Sequence, residues 1–291
     1  MGQALIESLK DHFRQIVVLT RGEAKREGKV KFLHWDAKKV GRWSNEMEGA
    51  DLIANLCGRS VDCRYTDENK DAIVKSRVES TLALGAAAIM AINPPKVWIN
   101  AGSATIYEHA EQRQMTEDDG LIGHGFSVDV CKMWEGAFNE TPVPETRKVL
   151  FRFALILGKN GGVLQRLLQI GRFGLAGTCG RGSQQVSWVH ETDFLNMMLF
   201  ALNNEQIEGT YNCTSPHPVR NGYFMRAIRE AAHFPIAIPL KEWMLDVGAF
   251  IMGTEAELLL KSRNVVPKKM LAAGFKFQFP YVTSALKDLV R

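Results

Sequence analysis

The stretch Met1-Gly2-Gln3-Ala4-Leu5-Ile6-Glu7-Ser8-Leu9, followed by Gln15-Ile16-Val17-Val18-Leu19-Thr20-Arg21, decides how the rest of the 291-residue chain is read. Leu5, Ile6, Leu9 and Phe13 recur at three- and four-residue spacing, the period of a helix with one apolar face. Gln15 to Thr20 reads as a strand that ends at Arg21. Helix then strand is the second half of a βα unit, so the chain opens one element late. In a dinucleotide-binding βαβ fold a strand and a Gly-x-x-Gly-x-x-Gly turn come first, and the pyrophosphate sits against the helix that follows. Of that turn, Gly2 alone is present. The expectation is a sheet whose central strand is missing, with two strand edges left unpaired at about 1–3 kcal/mol per orphaned backbone group. A reading frame that continues upstream of Met1 is the economical explanation at this stage.

Outward from this stretch, strand and helix signals alternate over two thirds of the length, as in a parallel sheet covered by helices. Strands are expected at 15–20, 30–34, 51–57, 96–101 and 148–157. Helices are expected near 42–49, 66–92 and 126–140, the long one ending at Pro94-Pro95. After Leu157 the texture changes. Gly161-Gly162 opens a short amphipathic helix, and Gly171, Gly174, Gly177, Gly180 and Gly182 punctuate an irregular segment before the strand-like Val186-Ser187-Trp188-Val189. No strand runs into that glycine-rich segment and no helix leaves it, so it reads as a substrate-facing loop. The tail from 240 to 291 reads as mainly helical, with Glu255 to Leu260 in one helix and Pro267 starting the next. These signals predict an α/β fold, a Rossmann-like doubly wound parallel sheet, with a smaller, mainly helical C-terminal substrate domain. The expected division is 1–160, also receiving segments near 186–213, against 161–185 and 214–291.

Composition excludes several classes. Net charge is +4, with basic residues scattered in pairs such as Lys25-Arg26 and Lys268-Lys269, which argues against a nucleic-acid partner. The longest apolar run, Thr81 to Ile92, is too short for a membrane span. Five cysteines at 57, 63, 131, 179 and 213 form no Cys-x-x-Cys pair, so neither a disulfide framework nor a metal site is expected, and a cytoplasmic compartment is.

Several pieces, in this order, carry a resemblance: Asn55-Leu56-Cys57-Gly58, Ser76-Arg77, Gly102-Ser103-Ala104-Thr105, Trp134-Glu135, Gly161-Gly162, Trp188-Val189-His190, Asn212-Cys213-Thr214-Ser215-Pro216 and Val266 through Phe275. Over essentially its whole length the chain resembles the atypical extended short-chain dehydrogenase/reductases of the nucleotide-sugar epimerase-like family, which end in a helical domain of unknown function. The resemblance implies an NADP(H)-binding Rossmann domain, a small polar substrate such as a nucleotide sugar, and a monomer or homodimer.

The expected cofactor-binding residues are Gly2, Arg21, Asn55, Leu56, Cys57, Gly58 and Arg77. Arg21 stands where an acidic residue would select a ribose 2′-hydroxyl, so a guanidinium there favours a 2′-phosphate; the alternative is a solvated loop arginine. Gly58 either lets the backbone approach the cofactor or starts a turn. Proton transfer in the superfamily belongs to a Tyr-x-x-x-Lys pair, whose spacing puts both side chains on one helical face. None of the tyrosines at 65, 107, 211, 223 and 281 has a lysine four residues on. With Glu135 set on the glutamate that follows that lysine, the resemblance puts Ser127 at the tyrosine position and Cys131 at the lysine position. The catalytic candidates left are Ser103, Tyr107 and His190, each with a structural role as its alternative. Arg181, Gln184 and Arg220 are the substrate-binding candidates; Ser183 stands where the family has a basic residue. Two functions remain open: an epimerase or oxidoreductase whose dyad has been replaced, and a non-catalytic NADP(H)-binding regulator or scaffold.

Overall fold

The computed structural model describes residues 2–234, 238–240 and 261–290. Its centre is a parallel sheet in the order β10-β6-β5-β4, formed by β4 (Leu52–Asn55), β5 (Val97–Ser103), β6 (Arg147–Phe153) and β10 (Gly209–Cys213). The period of two along these strands sorts their side chains onto two covered faces. Val97, Ile99, Val149 and Phe151 meet α1 (Gly2–Leu9) through Leu5 and Leu9, and α5 (Glu191–Asn203) through Phe194, Met197 and Met198. Trp98 and Leu150 face the other way. They pack with Ala83, Leu84, Ala87 and Ala88 of α2 (Asp67–Met90) and with Phe138 of α3 (Phe126–Asn139). Thr66 starts α2, its hydroxyl accepting from the Asn69 amide at 3.3 Å, with Asp67 and Glu68 in the first turn. The doubly wound parallel sheet expected from the alternating pattern is therefore present.

A second, three-stranded sheet stands beside it. β1 (Ile16–Thr20) pairs in parallel with β3 (Val30–His34), and the short β2 (Lys25–Glu27) pairs antiparallel with β3. Ile16 donates to Lys29 O at 2.9 Å and Thr20 O accepts from Trp35 at 2.8 Å. That parity turns the backbone groups of Ile16, Val18 and Thr20 toward β3, and those of Val17 and Leu19 toward the opposite edge. Among the described residues nothing pairs there; β1 and β4 share no hydrogen bond. Side-chain contacts rather than backbone pairing join the halves among the described residues. Leu19 and Leu33 touch the Trp35–Trp43–Ile53–Trp98 cluster on one face, and Ile16 joins Leu52 against the cluster on the other.

The structure corrects the expected boundaries in places. The strand expected at 148–157 breaks at Ala154: β6 stays in the main sheet, while β7 (Leu155–Leu157) turns away to pair with β9 (Trp188–His190). The strand around Val186 to Val189 breaks likewise at Ser187, leaving β8 (Gln185–Val186) to pair antiparallel with β11 (Val219–Arg220). Ser187 accounts for the second break, because its hydroxyl donates to Arg263 O and accepts from the Val265 amide. A second apolar cluster assembles around Trp188 from α4 (Gly162–Gly171), α6 (Asn221–Ala232) and α8 (Val282–Leu289); α7 (Lys268–Ala272) packs against the main sheet. The helix expected over Glu255 to Leu260 lies outside the described residues. No described helix is long and apolar enough to cross a membrane.

Candidate active site at the carboxyl edge of the sheet

Parallel strands all end at one edge, and ligands of open α/β sheets bind there. Here that edge carries Arg21 after β1, Asn55 at the end of β4 with Leu56 to Gly58 after it, Ser103 at the end of β5 and Arg152 near the end of β6. Arg21 is close enough to Cys57 for its charge to lower the thiol's pKa, against a burial that raises it more. The ends of β1 and β4 thus lie near each other at this edge.

Asn55 is turned inward. Its amide donates to Asn100 Oδ1 at 2.7 Å and to Thr81 Oγ1 at 3.0 Å, and its own oxygen accepts from the Cys57 amide. Trp134 Nε1 donates to the same Thr81 hydroxyl at 3.2 Å. Asn55 therefore shapes the Leu56–Gly58 backbone rather than presenting its side chain. Gly58 is small because of Arg77: a Cβ at Gly58 would lie 3.1 Å from the Arg77 Cζ. That guanidinium donates to Ile73 O at 2.9 Å and lies over the Trp134 ring, 5.2 Å from its centroid.

Ser127 and Cys131 lie on α3, and Cys131 packs with Ala104 and Tyr107 at this edge. Burial pushes the Cys131 thiol up to about 12, the neighbouring Glu135 adds to the rise, and Arg77, Arg263 and Arg152 oppose it. Cys131 is therefore a neutral thiol at neutral pH. The Ser127 hydroxyl is buried with no hydrogen-bond partner among the described residues.

The strongest polar contact at the edge was not read from the sequence. Arg152 grips Glu135 with two bonds, Nε to Oε1 at 2.9 Å and Nη2 to Oε2 at 2.7 Å, and both side chains are nearly out of solvent. Its third nitrogen, Nη1, donates to the Tyr107 hydroxyl at 2.8 Å. Tyr107 in turn donates to Asn212 Oδ1 at 2.9 Å. Asn212 reaches Glu117 through its backbone amide and Val266 O through its side chain, and Glu117 also accepts from the Lys269 amide. The available signal was a charged residue inside the apolar strand Leu150-Phe151-Arg152-Phe153.

The other expected site residues distribute as follows. The Ser103 oxygen accepts from the Thr105 amide at 3.2 Å while the residue stays partly exposed. Tyr107 is fully enclosed, and burial raises its pKa despite Arg152. Its ring leaves no room for a side chain at Gly120. His190 is 1% exposed and caps α5, its Nδ1 accepting from the Thr192 amide at 3.0 Å under a stacked Phe279 ring. Gln184 is buried and donates to Cys179 O at 3.0 Å. Arg181 and Arg220 are exposed, and Ser183 donates to Glu111 at 2.8 Å. Gly2 starts α1 with open space where a Cβ would be. Ser103 and Tyr107 thus sit with Arg152 at the carboxyl edge, whereas His190, Gln184 and Arg220 belong to the second cluster's surroundings.

A nicotinamide dinucleotide is the group this fold implies. At the adenosine end the residues fit it: Arg21 supplies a cation after β1, and Leu56 to Gly58 follow β4 at the same edge. Gly2 opens α1.

Residues 1–124 match the NAD-dependent epimerase/dehydratase family, and 242–289 match a domain of unknown function, DUF1731. An epimerase family protein of Staphylococcus aureus is 30% identical over 294 residues, covering 100% of this chain and 96% of its own length. One from Staphylococcus epidermidis is 29% identical over 292 residues, again covering 100% and 96%. The crystal structure of the human epimerase family protein SDR39U1 with NADPH superposes with a TM-score of 0.88 at 26% identity, over 99% of this chain and 95% of that one. A nucleoside-diphosphate sugar epimerase from Corynebacterium glutamicum, at 23% identity and a TM-score of 0.72, shares the fold over 99% of this chain and 61% of its own. With the parallel sheet and its carboxyl-edge residues in place, these likenesses make the chain a member of the epimerase family.

Proposed function

We propose that this chain is an NADP(H)-binding epimerase or oxidoreductase of its family, acting on a nucleotide sugar or similar polar metabolite at the carboxyl edge. The observation that carries the cofactor choice is Arg21 at the end of β1, beside Cys57 and with no acidic residue in its place. A solved relative crystallised with NADPH supports the same choice. Bound there, the dinucleotide would supply hydride transfer. Arg21 would hold the 2′-phosphate, Ser103 would orient a substrate carbonyl, and Arg77 and Arg263 would give the edge a positive field for phosphate groups. Five free thiols suit a reducing cytoplasmic compartment. The substrate is a small molecule rather than a nucleic acid.

The test is a fluorescence titration with NADPH and NADH. NADPH should bind more tightly, and Arg21→Ala should remove most of the difference, since a charge-assisted contact contributes about 1.5–3 kcal/mol. Equal affinities in the unmutated protein would overturn the assignment. Turnover is read separately as NADPH oxidation over a panel of nucleotide sugars and carbonyl compounds, where Ser103→Ala should abolish any activity. A second reading, an NADP(H)-binding regulator without turnover, is favoured by Ser127 and Cys131 at the dyad positions. NADPH binding with no oxidation of any carbonyl in the panel would select it.

A further inference from the structure

A stretch of the region that matches a domain of unknown function is built into the carboxyl edge. Residues 262–266 run between the loop that leaves β5 and the break that separates β8 from β9. Toward the loop, the Ser262 amide donates to His109 Nδ1 at 3.1 Å, Met115 donates to Asn264 O at 2.7 Å, and Val266 donates to Met115 O at 3.0 Å. Toward the break, Arg263 donates to Gln185 O at 2.8 Å, and the Ser187 hydroxyl lies between Arg263 O at 2.6 Å and the Val265 amide at 2.8 Å. Even-numbered residues bond one way and odd-numbered ones the other, the pattern of an extended segment held at both edges. Residues two apart in such a segment turn their side chains to the same side. Val265 is buried in one cluster with Ala104, Tyr107 and Cys131, so Arg263 is turned toward α3 as well.

The charges agree with that direction. Arg77 from α2, Arg263 and Arg152 from β6 all act on the Cys131 thiol. Two of the three are placed by their own neighbours: Glu135 and Tyr107 hold Arg152, while Ile73 O and the Trp134 ring hold Arg77. Arg263 is half-buried, and its contact with Ser262 O is long, at 3.4 Å. One helical turn before Cys131, the Ser127 hydroxyl is buried with no hydrogen-bond partner among the described residues. A neutral thiol, an unspent hydroxyl and a cation carried in on a doubly bonded backbone make a polar wall at the end of the edge away from Arg21. Such a wall complements an oxygen-rich anion, because a partly dry guanidinium gains most from charge-assisted hydrogen bonds.

We infer that Arg263 is a dinucleotide-binding residue at the α3 end of the carboxyl edge, so that the domain of unknown function completes the cofactor site; this rests on the cofactor reading proposed above. Arg21 would hold the adenosine half, and Arg263 the diphosphate and second ribose that NADPH and NADH have in common. Titration of the full chain with NADPH, NADH and adenosine 2′,5′-bisphosphate, which carries the adenosine half alone, tests it. Arg263→Gln should weaken both dinucleotides about tenfold and leave the bisphosphate unchanged, as loss of a charge-assisted contact to the other half requires. Arg263→Lys, which keeps the charge, should retain most of the dinucleotide affinity. Arg21→Ala should instead weaken NADPH and the bisphosphate together. Dinucleotide binding indifferent to Arg263→Gln would overturn the inference. An equal loss of the bisphosphate, the mark of a merely structural arginine, would overturn it too, as would a loss in Arg263→Lys as large as in Arg263→Gln. Those outcomes leave the cofactor reading standing, whereas failure of the unmutated chain to bind either dinucleotide removes both.

Discussion

The two halves of the sheet are built to different standards. In β5 six of seven residues are buried, and Trp98, Ile99, Val149, Leu150 and Phe151 are shielded completely. In β1 all five residues are half-exposed, although Val17, Val18 and Leu19 are as apolar as anything in β5. Sequence hydrophobicity is therefore not the difference. β5 has a strand on each side and helices on each face, whereas among the described residues β1 has one strand partner and an edge whose backbone groups find none. A parallel strand gains its stability from neighbours on both edges, and the half that has them should behave as the protein's folding core.

The largest break in that comparison should come from the buried ion pair tied to the well-built half. Glu135→Ala leaves the Arg152 guanidinium without its carboxylate in a nearly dry site and should cost about 3–5 kcal/mol in urea unfolding. Replacing both partners with apolar residues, Arg152→Met with Glu135→Leu, should recover much of this, since the desolvation penalty goes with the charges. Next come paired truncations across the gap. Ile99→Ala should cost about 2–5 kcal/mol, as a cavity in a closed core does, and Leu19→Ala about 1 kcal/mol, because that side chain is already partly in water. Equal losses would mean that β1 is packed as well as β5. Cys131 sharpens the picture chemically. Its raised pKa predicts little reaction with iodoacetamide at pH 7.5 in the folded protein, with Cys63 alkylated first.

A smaller effect belongs to His190. Burial holds its folded pKa below the unfolded value of about 6.5, with Asp288, Asp193 and Glu191 opposing. Below that unfolded value the unfolded chain binds the proton more readily, so stability falls as pH drops from 7.5 through 6.5 toward the folded pKa. Asp193 acts lower and in the opposite sense, because burial raises its pKa above the unfolded carboxylate's. His190→Asn keeps an acceptor for the Thr192 amide, so urea midpoints at pH 7.5 and 5.5 should draw closer together in the variant.

Much of the architecture was legible because period and punctuation were strong. The spacing of Leu5 and Leu9 placed α1, Pro94-Pro95 stopped α2, and the apolar run ending at Arg21 gave β1 its boundary. Ala154 and Ser187 were not legible as breaks, since both sit inside strand-like runs and what splits them is a change of partner and a side-chain bond to distant Arg263 and Val265. At the site, Arg21, Gly58 and Arg77 were named from the chain. Their reasons differ: Gly58 yields to a guanidinium, and Asn55 works inward. Arg152 was missed because its partners Glu135 and Tyr107 are 17 and 45 residues away, and Asn212 is 105 residues from Tyr107, so only the fold brings them to one place.

The central claim is that the half-sheets meet by packing and not by backbone pairing. Amide hydrogen exchange within β1 tests it most directly, because neighbouring residues of one strand serve as each other's control. The account predicts that Val18, bonded toward β3, is protected, while Val17 and Leu19, facing the gap, exchange far faster than Val18 and faster still than the shielded Ile99 of β5. Val17 and Leu19 protected as well as Ile99 would show a strand partner at that edge and contradict it.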